Sequence, residues 1–257
     1  MDVVLTGLIN KDVILEIIKN FLNTSFIERV IISTWEGQEI PIIEDSRVNF
    51  ILNIPPENPG NNNRNLQIKA SQVGVNNVTS DICIKSRTDQ VISVNSLEMI
   101  NRFFNKFKEP ELKYLDGTGP KYKMFCCGDF HVYPFHPRDQ FFMSDTESMK
   151  RLYDIPFCSM PPQPAMNCDH MQRVETYIGA NYVAHFDKEV REMISNGKEF
   201  LQDDSPSNLY AVKLSRFLFD KVFQILPRIE VFNGKYKVPY NYEHHSVIER
   251  WYDKPWE

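Results

Sequence analysis

The chain has 257 residues, 42% of them apolar and 25% charged, with a formal net charge of −5. That length sustains a sizeable core without disulfides or a structural metal, and the acidic balance argues against a nonspecific nucleic-acid binder. No apolar run approaches the ~20 residues of a membrane-spanning helix, and Met1-Asp2-Val3-Val4 carries no basic leader region. Five cysteines without a Cys-x-x-Cys spacing fit a reducing compartment better than a disulfide framework or a zinc site.

The first 90 residues alternate strand and helix signals. Val3-Val4-Leu5 is a short apolar run ending in Thr6-Gly7. Asn10 is placed to cap a helix over Lys11 to Leu22, in which Val13, Ile17 and Phe21 lie beside Ile14, Ile18 and Leu22 on one wide apolar face. Arg29 to Thr34 is β-branched and short, so it reads as a buried strand, and Val48 to Leu52 as another. Pro55 to Asn63 holds three Pro, one Gly and four Asn and is a loop. Asn65 to Val75 has helical spacing, and Asp81 to Lys85 is a further strand.

Strand–helix–strand repetition with such connections predicts an α/β domain with a mostly parallel sheet, helices on both faces and right-handed crossovers. Ligands of such sheets bind at the carboxyl ends of the strands. The loops that matter are then Thr6-Gly7, Ser33-Thr34-Trp35 and the segment after Lys85. Neither the glycine fingerprint of a dinucleotide fold nor a P-loop is present.

The second half is more helical. Lys123 to Cys127 reads as a strand that holds Cys126 and Cys127. Ser144-Asp145-Thr146-Glu147 has capping-box spacing and opens a helix to about Tyr153. A helix from the Asp169 to Gln172 region through about Ala184 follows, then one over Asp187 to Asn196 stopped by Gly197. Ser205-Pro206 starts a long helix to about Leu226, and the tail from Tyr236 is aromatic-rich and irregular. No linker interrupts 1–257, which reads as one domain with halves 1–115 and 116–257.

Lys85, Arg87 and Asp89 alternate at a strand's carboxyl end and share a face if the strand stays extended. Two cations there suit a diphosphate, and the carboxylate suits a hard divalent ion bridging phosphate oxygens. The plain alternative is an ordinary ion pair on a solvated strand end.

Four stretches then occur in order: Val4-Leu5-Thr6-Gly7; Ile31-Ile32-Ser33-Thr34-Trp35; Arg64-Asn65-Leu66-Gln67-Ile68 followed by Ser71 and Gly74; and Lys85-Ser86-Arg87-Thr88-Asp89. This series resembles the WavE lipopolysaccharide synthesis family of presumed glycosyltransferases, over roughly the first 90 residues. The resemblance implies a GT-A-like, Rossmann-related fold and a nucleotide-diphosphate sugar donor. It implies a divalent metal, Mn2+ or Mg2+, held by an Asp-x-Asp-like motif. Here that motif is Arg87-Thr88-Asp89, with one carboxylate of the two, so Arg87 can itself offset diphosphate charge.

By the same resemblance Thr6 and Gly7 line the nucleotide, and Ser33, Thr34 and Trp35 lie near its base or ribose. Asn65 and Gln67 offer amides to ribose or sugar hydroxyls. Trp35 equally suits the core, and Asn65 a helix cap. Transfer with inversion needs a carboxylate to take the proton of the acceptor, a glycan hydroxyl. Asp145 is the first choice and Asp129 the second, with Glu175 third. Asp145 equally suits a helix N-terminus and Glu175 a surface ion pair. His245, beside His244, is the candidate second metal ligand; His131 and His136 form a looser cluster. Tyr236, Tyr240, Tyr242 and Trp251 suit a sugar-stacking surface. The expected location is cytoplasmic, at most peripheral to a membrane carrying the acceptor. The alternative function is a noncatalytic nucleotide- or glycan-binding protein on the same fold; a thiol enzyme using Cys126 or Cys127 is a third reading.

Overall fold

The computed structural model describes residues 1–127, 133–159, 173–198, 200, 206–226 and 231–233. Its strands are β1 (Asp2–Thr6), β2 (Arg29–Trp35), β3 (Val48–Asn53), β4 (Ile82–Arg87), β5 (Gln90–Ile92), β6 (Met124–Cys126), β7 (Phe141–Asp145), β8 (Phe223–Ile225) and β9 (Val231–Asn233). The helices are α1 (Ile14–Leu22), α2 (Arg64–Asn76), α3 (Val94–Phe107), α4 (Thr146–Tyr153), α5 (Val174–Val183), α6 (Lys188–Ser195) and α7 (Pro206–Val222).

Seven strands form one sheet in the order β3-β2-β1-β4-β7-β6-β8, and β5 and β9 pair separately. All its pairs are parallel except the two that β7 makes with β4 and β6. This is the mostly parallel α/β sheet expected from the alternation of elements. Side chains alternate along β1, so Val3 and Leu5 face one layer and Val4 the other. The first layer holds Ile14, Ile17 and Phe21 of α1 and Leu97, Ile100 and Phe104 of α3. The second holds Ile68 and Val75 of α2, Met149 and Leu152 of α4 and Ile178 of α5. Each such side chain, fully buried, contributes about 1.5–3 kcal/mol. Gly74 permits the close approach of α2: a Cβ there would stand 2.4 Å from a Val4 methyl carbon.

The chain runs outward from β1 to β2 and β3, then returns to place β4 on the other side of β1. The strand order therefore reverses between β1 and β4, where a crevice opens at the strands' carboxyl ends. At the opposite, amino end, buried Asp2 takes hydrogen bonds from Arg29, the Thr79 amide at 2.9 Å and the Ser80 amide at 3.4 Å. Burial works against its ionisation, but the hydrogen bond from Arg29 and those of the two amides outweigh it and hold its pKa below the ordinary value.

Several expected boundaries shift. α1 begins at Ile14 because Asn10 forms a turn first: its side chain accepts from Asp12 N at 3.1 Å and its carbonyl from Ile14 N at 2.9 Å. α4 is capped by Asp145, whose side chain accepts from Ser148 N, and Ser144 belongs to β7. α7 stops at Val222, and Phe223–Ile225 pairs with β6, whose open edge outbids the last helical turn. The expected start of α5 lies outside the described residues. α6 matches: Asp187 caps it through Val190 N, and Gly197, at φ 76°, ends it. β5, α3 and β7 correspond to no expected element. Cys126, in β6, and Cys127, one residue past its end, are both buried. The four described cysteines are free thiols, and burial pushes the Cys83 thiol far up.

Candidate active site

β1 ends in a turn that needs glycine. Gly7 has φ 125°, and a Cβ there would lie 2.9 Å from Thr88 Oγ1. Thr88 Oγ1 donates to the Leu8 carbonyl at 2.6 Å, and Thr34 Oγ1 donates to the Gly7 carbonyl at 2.8 Å. The carboxyl ends of β1, β2 and β4 are thereby tied together, beneath a cleft of about 1030 Å³.

Thr6, Gly7, Trp35, Gln67, Lys85, Arg87 and Asp89 all line this cleft. β4 stays extended to Arg87, and the turn through Thr88 brings Asp89 back onto it. Arg87 donates to both carboxylate oxygens, from Nε at 2.9 Å and Nη2 at 2.8 Å. Burial disfavours the Asp89 carboxylate, yet the Arg87 hydrogen bonds and charge hold its pKa below the ordinary value. The pair keeps partial exposure, 39% for Arg87 and 31% for Asp89. Asn62 and Asn63, from the loop before α2, also border the cleft at φ 52° and 60°, left-handed angles that asparagine tolerates.

Lys85 behaves differently from the expected phosphate contact. Its side chain has no exposed surface. Its Nζ donates to the Asp139 carbonyl at 2.9 Å and lies 3.9 Å from Asp139 Oδ2, with the Phe142 and Tyr153 rings 6.0 and 5.8 Å away. Burial pulls its pKa down from the ordinary lysine value, against the Asp139 charge. Lys85 is the buttress of a carboxylate wall.

That wall contains Asp139 and Arg173, which sequence reasoning missed, together with Glu175 and His136. Gln67 Nε2 donates to Asp139 Oδ2. Glu175, at the start of α5, keeps 26% exposure, and its Oε2 lies 3.6 Å from His136 Nε2. Burial, reinforced by the charge of Asp139, raises the Glu175 pKa above its ordinary value. Burial pushes the His136 pKa down to about 4, so its imidazole is neutral at pH 7. Arg173 donates to the Tyr133 hydroxyl at 3.3 Å, and Tyr133 stacks on His136 at 5.2 Å.

The remaining expected residues lie elsewhere. Ser33 and Thr34 are buried behind the cleft wall: Ser33 Oγ accepts from Asn53 Nδ2 at 2.9 Å, and Thr34 Oγ1 accepts from Gln38 Nε2 at 2.9 Å. Asn65 neither caps α2 nor lines the cleft. Its amide clasps the Asn58 and Cys158 carbonyls at 3.0 and 2.9 Å and accepts from Cys158 N at 2.7 Å. Asp129, His131, His244, His245, Tyr236, Tyr240, Tyr242 and Trp251 lie outside the described residues.

Asp145 needs a correction as the first-choice base. Because β7 runs antiparallel to β4, Asp145 pairs with Ile82, at the amino end of the strand whose carboxyl end carries Arg87. Its carboxylate accepts from Ser148 N at 2.8 Å, Ser148 Oγ at 2.8 Å and Tyr122 N at 3.0 Å, so it is a cap and a crosslink. Asp145→Ala is expected to lower stability by about 2 kcal/mol, from the lost cap and the orphaned Tyr122 N–H. Ligand binding by the folded variant should stay unchanged. Denaturant melts beside binding isotherms check both, and intact stability would contradict the assignment.

The resemblance implies a metal on Asp89 and His245. Among the described residues no group of three His, Cys, Asp or Glu is arranged to hold one, and both Asp89 oxygens are engaged by Arg87. The described residues do not make a metal site. No described helix is long and apolar enough to cross a membrane.

No protein-family model matches the chain, and no curated protein matches it, so these comparisons add nothing to the WavE resemblance. Solved structures of similar chain path include the mannosyltransferase PcManGT from Pyrobaculum calidifontis, in complex with GDP-Man and Mn2+. Its identity is 9% and its TM-score 0.43, over 72% of this chain and 52% of that one. TarS from S. aureus has 13% identity and a TM-score of 0.41, over 86% of this chain and 40% of its own. HddC from Yersinia pseudotuberculosis has 12% identity and a TM-score of 0.35, over 62% of this chain and 82% of its own. These are likenesses of chain path only. The chain spans about half the length of the mannosyltransferase and less of TarS.

Proposed function

We propose that the protein is a glycosyltransferase that takes a sugar from a nucleotide-diphosphate donor and passes it to a hydroxyl of a glycan. The observation that carries the reading is a cleft at the β1/β4 strand-order reversal, with a half-exposed guanidinium at the end of β4 and a carboxylate of raised pKa across from it. The donor occupies the 1–115 half, on Thr6, Gly7, Trp35 and Arg87, and the 116–257 half contributes Glu175 on the acceptor side. The resemblance in the first 90 residues supports surface polysaccharide or glycoprotein glycan synthesis as the setting.

Glu175 takes the role first assigned to Asp145. Asp89 is held by Arg87, and Asp139 is buried under Gln67 and Lys85. Glu175 is raised in pKa and keeps an exposed edge. The acceptor oxygen attacks the anomeric carbon from the face opposite the leaving group, and its proton passes to the Glu175 carboxylate. The bond from the anomeric carbon to the diphosphate oxygen breaks, and the electron pair leaves with the nucleoside diphosphate. Arg87 stabilises that growing charge.

Calorimetry with UDP, GDP and their sugar conjugates tests the reading. One nucleoside diphosphate should bind, and Arg87→Ala should weaken it by about tenfold or more, the worth of a charge-assisted hydrogen bond. Binding by none of them, or undiminished binding by the variant, overturns the proposal. A binding protein without transferase activity would hold the conjugate and release no nucleotide in the presence of glycan acceptors.

A further inference from the structure

We infer that Asp139 recognises the sugar to be transferred, by accepting a hydrogen bond from one of its hydroxyls at Oδ1; the inference rests on the donor-site reading above. Asp139 is 2% exposed and lines the cleft. Its Oδ2 is taken by Gln67, while its buried Oδ1 has no hydrogen-bond partner among the described residues. Buried polar atoms are almost always paired, and an unpaired carboxylate oxygen on a residue that lines a cleft is an acceptor kept for a ligand.

The surroundings specify that ligand. A carboxylate oxygen accepts and does not donate, so it selects a group carrying hydrogen and rejects phosphate oxygens. Lys85 holds the Asp139 backbone carbonyl from below, and Gln67 of α2 fixes the carboxylate's rotation. Oδ1 is therefore preset, and ordering it on binding costs little entropy. Charge divides the cleft: the diphosphate belongs by Arg87 at the β4 end, and the hydroxyl-rich part belongs at the Asp139 and Glu175 wall. The same division gives Gln67 its place, steering the sugar-reading carboxylate through its amide.

The test compares the full chain with Asp139→Asn in calorimetric titrations of UDP, GDP, UDP-glucose and GDP-mannose. The variant should lose about tenfold or more in affinity for the sugar conjugate that the native protein binds. Its affinity for the matching nucleoside diphosphate should change less than about threefold, as Oδ1 meets no phosphate. Monodeoxy analogues of that conjugate on the native protein serve if the variant misfolds: removal of one hydroxyl should cost about tenfold and removal of the others far less. Nucleoside diphosphate binding with an unaltered sugar contribution, or a flat deoxy series, overturns this inference and leaves the donor site standing. Failure of every nucleotide to bind the native protein overturns both.

Discussion

Glu175→Gln is expected to lower turnover by about two to four powers of ten, the usual worth of a positioned general base. Donor affinity should stay within about threefold, since the amide keeps the size of the side chain and the diphosphate lies at Arg87. That pattern, a fall in kcat with the donor dissociation constant preserved, marks an interaction made in the transition state. The pH profile supplies a second readout. A base acts only when deprotonated, so native activity should fall as pH drops through the Glu175 pKa. Burial and the Asp139 charge raise that pKa, so the acid limb should lie above the ordinary glutamate value of about 4.3. Glu175→Gln should erase that limb from its residual activity. Full activity in the variant would remove Glu175 from the chemistry.

The second large effect is on stability. Lys85→Met conserves volume and the contacts with Phe142 and Tyr153, but it removes the ammonium beneath Asp139. Buried Asp139 then loses the ammonium that faces its carboxylate. Breaking a buried pair in this way costs about 3–5 kcal/mol, which for a chain of this size lowers Tm by roughly 10 °C. The double variant Lys85→Met, Asp139→Asn should recover a large part of the loss, because it takes the stranded charge away as well. Thermal and urea melts of the three proteins form the cycle. A Lys85→Met protein as stable as the native one would show that the ammonium does not hold the wall.

The lining of the cleft was half legible in the sequence. Thr6, Gly7, Trp35, Arg87 and Asp89 could be found because each ends a parallel strand or follows within two residues of its end, and local periodicity is enough to locate strand ends. Asp139 lies in a stretch without a periodic signal and Arg173 at the start of an expected helix, and both come to the site only through long-range packing. Gln67 was legible as a helix residue pointing to the ligand, but its partner 72 residues away was not. Asp145 shows the reverse failure. Its capping signal was real, and only the direction of β7 put it at the wrong end of the sheet. A strand's direction relative to its neighbour leaves no mark in its own residues, since buried parallel and antiparallel strands carry the same apolar pattern.

The sequence by itself determined the alternation of β1, α1, β2, β3, α2 and β4, and with it a parallel half-sheet whose crevice opens beyond Gly7 and Arg87. Those features depend on contacts within a few residues: apolar spacing, caps, and a glycine where φ must be positive. Tertiary structure decided the rest: which carboxylate faces the cleft, that Lys85 is a buttress and not an exposed cation, and that Asp139 keeps one oxygen without a donor among the described residues. Charge and burial at those positions are set by neighbours from distant parts of the chain. The free energy of an ionised group depends on that packing far more than on its place in the chain.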